Sequence, residues 1–246
     1  MSQWVKGEIV EITHWTPTLF SIKFEADIAP FKAGQYTKLS LQQGEKRIAR
    51  AYSFVNPPSE PIHEVLLVEV PDGNLSVPLH QLQVGDELDV TYQANGFFTL
   101  DELPSCDTLW MISTGTAVGP FLSMLREGDV WQKVKRVILI HGVRLNADLC
   151  YREELEQLQQ QRDGFTYVPL VTRQKPELGC QGRVTELIEN KQLLTHLGYK
   201  QFPDSSHFML CGNPEMVKEL SAQLQSMGYE RHRRAKPGQI TVEQYW

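Results

Sequence analysis

The sequence predicts two domains of different class: a six-stranded antiparallel β-barrel over residues 1–100, then a parallel α/β domain over residues 101–246. Three observations predict it. The first hundred residues hold short β-type runs broken by turn residues. Beyond about residue 105, apolar strands alternate with helical stretches, the mark of a parallel sheet covered by helices. A chain of 246 residues is also long enough for a hydrophobic core in each of one or two domains.

In the first half the expected strands are Glu8–Thr13, Leu19–Phe24, Gln35–Leu41, Ile48–Val55, Glu64–Val70 and Glu87–Tyr92. Gly34, Gly44, Asn56-Pro57-Pro58, Asp72-Gly73 and Gly85-Asp86 punctuate them. Pro71-Asp72-Gly73-Asn74-Leu75-Ser76 breaks the fifth strand and opens a short helix through His80. The first turn of that helix reads either as a seat for phosphate or as a capped surface turn. The linker falls at Leu100–Ser105. After it come strand Thr108–Ser113, helix Gly119–Glu127, strand Arg136–His141, helix Asp148–Gln161, strand Phe165–Val171, helix Val184–Glu189, strand His207–Cys211 and helix Pro214–Met227.

Composition narrows the function classes. A net charge of -6 argues against a nucleic-acid binder. No apolar run reaches the length of a membrane helix, and the start lacks the apolar core of a signal peptide. Cytoplasmic location and no membrane partner are therefore expected. Cys106, Cys150, Cys180 and Cys211 have neither zinc spacing nor a Cys-x-x-Cys pair, so no metal is expected and free thiols suit a reducing compartment.

The chemistry-bearing stretches fall in order along the chain. Arg50-Ala51-Tyr52-Ser53 lies in a run with the two-residue period of a strand, which sends Arg50 and Tyr52 to one face. Arg forks onto phosphate oxygens, Tyr offers a stacking face and Ser a hydroxyl. A ligand with a diphosphate and a planar heterocycle, such as flavin adenine dinucleotide (FAD), suits that set; an ordinary edge strand is the other reading. Ser113-Thr114-Gly115-Thr116-Ala117-Val118-Gly119-Pro120 is a Gly-rich strand-to-helix turn, open to a dinucleotide or to a tight connection. It departs from Gly-x-Gly-x-x-Gly at Ala117, and no acid follows the second strand of the α/β half. Arg144, Arg173 and Arg183 stand at or just beyond strand ends, where arginines favour the 2′-phosphate of NADP over the free hydroxyl of NAD. Cys211-Gly212-Asn213-Pro214 ends the last strand; its Cys reads as a small hydrophobe or as a neighbour of a nicotinamide.

This ordered set, on a barrel followed by an α/β half, resembles the ferredoxin–NADP reductase family, closest to the short bacterial ferredoxin/flavodoxin–NADP reductases. The resemblance covers almost the whole chain, including the run through Pro237 to the aromatic end Tyr245-Trp246. It implies a barrel holding FAD and a Rossmann-like domain holding NADP(H). It places Arg50 on the FAD diphosphate, Tyr52 on the isoalloxazine, and Ser53 near flavin N5 as a catalytic group. Ala51 belongs to the same strand; Val68 and Glu69 lie along the flavin, and Asn74, Leu75 and Ser76 complete the phosphate seat with backbone. Thr116 lines the contact between nicotinamide and flavin, and Trp246 lies on the FAD adenine, because the chain ends in an extension rather than in a Tyr over the flavin. Arg144, Thr172, Arg173 and Arg183 clamp the 2′-phosphate; Cys211, the second catalytic group, borders the nicotinamide, with Gly212, Asn213 and Met216 beside it. Thr172 departs from the Ser expected before Arg173. The implied function is NADPH delivering hydride to FAD N5, with electrons passing singly to ferredoxin or flavodoxin, in a monomer. An NAD(P)H:flavin or oxygenase-component reductase, or a redox-silent flavin-binding module, is the alternative. Arg231-His232-Arg233-Arg234-Ala235-Lys236 is either a solvated turn or the docking surface for an acidic carrier, with Lys38, Lys46 and Arg47 the other candidates.

Overall fold

The computed structural model describes residues 3–43 and 46–245. It divides into two compact units, Met1–Asp101 with Gly119–Asp129, and Glu102–Val118 with Val130–Trp246.

The first unit holds β1 (Trp4–His14), β2 (Leu19–Ala26), β3 (Tyr36–Gln43), β4 (Lys46–Ser53), β5 (His63–Val68) and β6 (Glu87–Thr91). All six expected strands are present, paired antiparallel in the order β4-β3-β6-β1-β2-β5. The two end strands meet just past β4, where Phe54 bridges Val65 and Val55 N donates to Glu64 O at 2.8 Å, closing the sheet into a barrel. A register shift between Ile9 and Glu11 in β1 gives the bend that closure needs. Alternation on β2 sends Phe20, Ile22 and Phe24 inward with no exposed surface, against Leu39, Phe54, Val65 and Leu88. The short helix α1 (Ser76–His80) adds Leu79 to this core, and Leu75 just before it joins as well.

Helix α2 (Gly119–Glu127) also clusters with the barrel, although in sequence it lies beyond the expected linker. Ser123 Oγ donates to Asn56 O at 2.7 Å. Arg126 Nη1 donates to Val55 O at 3.2 Å and to Glu64 Oε2 at 2.8 Å.

The second unit is a parallel six-stranded sheet of β7 (Thr108–Thr114), β8 (Arg136–Val143), β9 (Phe165–Val171), β10 (Cys180–Gln181), β11 (Ser206–Gly212) and β12 (Ile240–Gln244), in the order β10-β9-β8-β7-β11-β12. Its helices are α3 (Val130–Lys133), α4 (Arg152–Gln161), α5 (Val184–Glu189), α6 (Gln192–His196) and α7 (Pro214–Ser226). One sheet face, with Trp110, Ile112, Ile138, Ile140, Phe208 and Leu210, packs on Leu187, Leu193, Val217, Leu220 and Leu224 of α5, α6 and α7. Four elements escaped the sequence reading: β10, β12, α3 and α6. Helix α4 also begins four residues late. A 3₁₀ turn covers Asn146–Asp148, and Tyr151, at φ 57° in the left-handed region, stops helix from extending back through it. No helix among the described residues is long and apolar enough to cross a membrane.

Candidate functional site

In the barrel, strand β4 positions the first group. Its register against β3 sets Tyr52 opposite Thr37 and Arg50 opposite Leu39. Arg50 is exposed, and among the described residues its guanidinium donates only to Ala49 O, at 2.9 Å. Tyr52 is half-buried against the core; burial pushes its hydroxyl up to about 12, while the charge of Arg50 pulls the other way. Two residues apart on one strand, the two side chains stand on the same face of the sheet. Ala51 is exposed and Ser53 is buried, with no hydrogen-bond partner for its hydroxyl among the described residues.

At the end of β5, Val68 and Glu69 are half-buried. Glu69 pairs with His80 Nδ1, and His80 Nε2 meets His14 Nδ1 at 3.3 Å. Asn74 is exposed, whereas the side chain of Leu75 belongs to the core, leaving only its backbone for a ligand. Ser76 Oγ accepts from Val70 N at 3.1 Å, which ties the turn to the strand it leaves.

In the second unit the arginines stand at one edge. Strands β8, β9 and β10 are neighbours and all parallel, so their carboxyl ends lie side by side. Arg144 follows β8; Thr172 and Arg173 follow β9; Arg183 follows β10. Thr172 N and Oγ1 both donate to Val143 O at 3.1 Å, and Arg173 N donates to Arg144 O at 2.9 Å. All three arginines are exposed, and among the described residues no guanidinium of the three has a hydrogen bond or an ion pair.

The turn after β7 is a 3₁₀ segment, Gly115–Val118, with Thr116 buried. Gly115 has φ 56°, and a Cβ there would meet nothing within 4 Å, so the backbone is open to approach. At the end of β11, Gly212 has φ 134° and passes so close to Thr114 that a Cβ would lie 2.2 Å from Oγ1. Only glycine fits, and the approach lets Asn213 N donate to Thr114 Oγ1 at 2.9 Å. Asn213 Oδ1 caps α7, accepting from Glu215 N and Met216 N, while Met216 packs on the apolar core.

Register aligns a polar row across one sheet face: Glu243 on β12, Cys211 on β11, Ser113 on β7 and His141 on β8. Cys211 is fully buried, and burial first, then the charge of Glu243, holds its thiol protonated. Burial also pushes Glu243 up to about 7, with Oε2 lacking a hydrogen bond. His141 is driven down to about 4 by complete burial, opposed by its bond from Nε2 to Gly115 O at 3.0 Å; it is neutral, with Nδ1 unpartnered. Sequence reasoning missed Glu243 and took His141 for a strand-end residue. The signal for Glu243 was the apolar alternation of Ile240 and Val242, which puts it on the opposite face. Trp246 lies outside the described residues.

Two domain families match successive parts of the chain, and the second match includes Gly119–Asp129, which packs with the barrel. Residues 9–94 match the oxidoreductase FAD-binding domain and residues 111–222 the oxidoreductase NAD-binding domain. Barrel and α/β unit together thus define a flavin- and nicotinamide-dependent oxidoreductase. The chain is 42% identical to the flavodoxin/ferredoxin–NADP reductase of Escherichia coli (strain K12), with 100% of both chains covered. It is 33% identical to the ferredoxin–NADP reductase of Pseudomonas aeruginosa, over 99% of this chain and 98% of the relative. A crystal structure of a ferredoxin NADP+ reductase from Neisseria gonorrhoeae with bound FAD and NADP superposes with a TM-score of 0.94 at 33% identity, covering 100% of each chain. The chain belongs to the flavodoxin/ferredoxin–NADP reductase family.

Proposed function

We propose that the chain carries electrons between NADPH and a one-electron carrier protein, ferredoxin or flavodoxin, through FAD held by the barrel. The observation that carries the coenzyme choice is the set of three arginines at adjacent strand ends, without ion partners among the described residues. Cations left unpaired at one edge suit a dianionic 2′-phosphate. The barrel residues fit FAD by the same argument: among the described residues Arg50 has no ion pair, and the hydroxyl of Ser53 has no hydrogen-bond partner. When bound, FAD supplies the acceptance of hydride at N5 and the release of electrons one at a time.

The chain's own residues then bind and orient. Arg50 forks onto the diphosphate; Tyr52, on the same face, stacks on the ring system; the Ser53 hydroxyl holds the edge near N5. The Ala51 backbone, Val68 and Glu69 lie along the flavin, and the Asn74–Ser76 backbone completes the phosphate seat. Glu69, tied to His80, stays fixed at the end of β5. Arg144, Thr172, Arg173 and Arg183 hold the 2′-phosphate. Cys211, buried and neutral, borders the nicotinamide site, on a strand end fixed by Gly212 and Asn213. No proton has to be moved by a side chain for the hydride step itself.

The test uses purified holoenzyme. NADPH should bleach the flavin spectrum, and oxidised ferredoxin or flavodoxin should restore it. Arg173→Ala should raise the KM for NADPH by about tenfold, the loss of one charge-assisted contact, and leave that for NADH within about twofold. Equal losses with both coenzymes would place the arginine elsewhere.

A further inference from the structure

The loops that carry Arg144, Arg173 and Arg183 are held in part by side chains other than those three. Residues 172–179, between β9 and β10, have neither helix nor strand, and an irregular surface segment of that length is ordinarily mobile. Its first residues are held by Val143 and Arg144 backbone, as described above. Further along, Asn146 reaches across from the loop after β8. Its Nδ2 donates to Lys175 O at 3.0 Å, and its Oδ1 accepts from Glu177 N at 3.1 Å. One carboxamide thereby satisfies an acceptor and a donor two residues apart on the neighbouring loop.

Asn146 is itself fixed. Asp148 Oδ2 accepts from Leu145 N at 3.0 Å, and Asp148 N donates to Leu145 O at 3.0 Å, which closes the 3₁₀ turn around it. A second tie comes from α4, where Arg152 Nη1 donates to Glu177 Oε2 at 2.7 Å while Nε is oriented by Glu156 Oε1 at 2.6 Å. The far end is held by Gly179, at φ 79°, whose missing Cβ would lie 2.0 Å from Pro169 O. Arg173 N on Arg144 O joins the two arginines at their roots, and the Asn146 carboxamide carries that register on to Lys175 and Glu177.

We infer that Asn146 is a positioning residue for coenzyme selection: it touches no coenzyme, but keeps the loop that begins with Arg173 and leads towards Arg183 in register with Arg144. The inference rests on the reading of the three arginines as the 2′-phosphate clamp. A clamp built from two loops gains affinity when the loops are ordered before the ligand arrives; released, they must be ordered at each binding event. The effect therefore falls on the coenzyme that carries the phosphate.

Steady-state kinetics of the holoenzyme with NADPH and with NADH, alongside calorimetric titration with 2′-phospho-AMP and with AMP, test it on Asn146→Ala and Arg173→Ala. For Asn146→Ala the KM for NADPH should rise about three- to tenfold, as for one or two lost hydrogen bonds. Its kcat should hold, the KM for NADH should shift less than about twofold, and the Kd of 2′-phospho-AMP should rise in step while that of AMP does not. An equal rise of KM for both coenzymes would overturn the inference, since it marks general loosening. So would an Asn146→Ala enzyme with unchanged NADPH preference beside an Arg173→Ala enzyme that has lost it; the clamp would then stand without the clip. If Arg173→Ala keeps its preference for NADPH, the clamp reading itself fails and the inference falls with it.

Discussion

Ionising a carboxyl inside a sheet face is unfavourable, and Glu243 carries the consequence. Burial pushes it from 4.5 up to about 7, so between those values the folded chain keeps a proton that the unfolded chain has released. Stability then falls as pH rises through that window and stays lowered above it. Glu243→Gln, which cannot ionise, should remove this decline: its Tm should exceed the wild-type value at pH 8.5 by more than at pH 5. Parallel Tm curves would mean that the carboxyl is not desolvated. On the barrel, Arg50→Ala should lower FAD retention through gel filtration, because a guanidinium with no ion pair among the described residues is lost from the Arg-x-Tyr-Ser strand; full retention would remove Arg50 from the diphosphate. Both residues show what was legible at this scale. Arg50, Tyr52 and the strand-end arginines could be proposed because residue type and strand position together suggest a chemistry, and the structure shows where they stand. For Glu243 the alternation of Ile240 and Val242 gave only the face, and for His141 only a strand end; their altered acidity comes from burial, which follows from neighbours on other strands.

At the scale of elements, strong periodic signals located β9, α2 and α5 to the residue. Elements that depend on tertiary contact were missed. Strand β10 has two residues and exists only by pairing with Leu170 and Val171. Strand β12 lies in a segment read as a tail, yet it pairs with β11 from Phe208 to Gly212. The grouping of α2 with the barrel was equally hidden, because the pattern strand-helix-strand says nothing about which core receives the helix. Its attachment makes a prediction. Glu64 is 5% exposed, and its carboxylate meets Arg126 from α2. Removing the cation leaves a buried charge without that partner, which costs about 3 kcal/mol. Arg126→Ala should lower the Tm markedly, and Arg126→Ala with Glu64→Gln should recover much of it. If the double variant is no more stable than the single one, the penalty comes from lost packing and not from the buried charge.

At the scale of the whole molecule the question is which surface of a chain with net charge -6 would attract an acidic carrier. The segment Arg231–Lys236 holds four fixed cations, but they are not equivalent. Arg234 forks onto Glu102, and Lys236 pairs with Glu230. Arg231 and Arg233 are exposed and have no ion pair among the described residues. Arg47, an alternative in the barrel, is already paired with Asp89. Field available to a partner therefore concentrates on Arg231 and Arg233 within this segment, held by the bridges from Arg231 to Ile240 and from Arg233 to Lys236. Complementary charge acts mainly on the association rate, and salt screens it over about 8 Å at physiological ionic strength. Reversing Arg231 and Arg233 to Glu should thus slow reduction of ferredoxin or flavodoxin at low salt and flatten its dependence on ionic strength. Reduction of ferricyanide, which needs no docked complex, should stay near the wild-type rate. Reversing Arg234 should do less, because its charge is already answered by Glu102. If all three reversals leave carrier turnover at low salt unchanged, the segment is a solvated turn, and Lys38, exposed on β3, becomes the next cation to reverse.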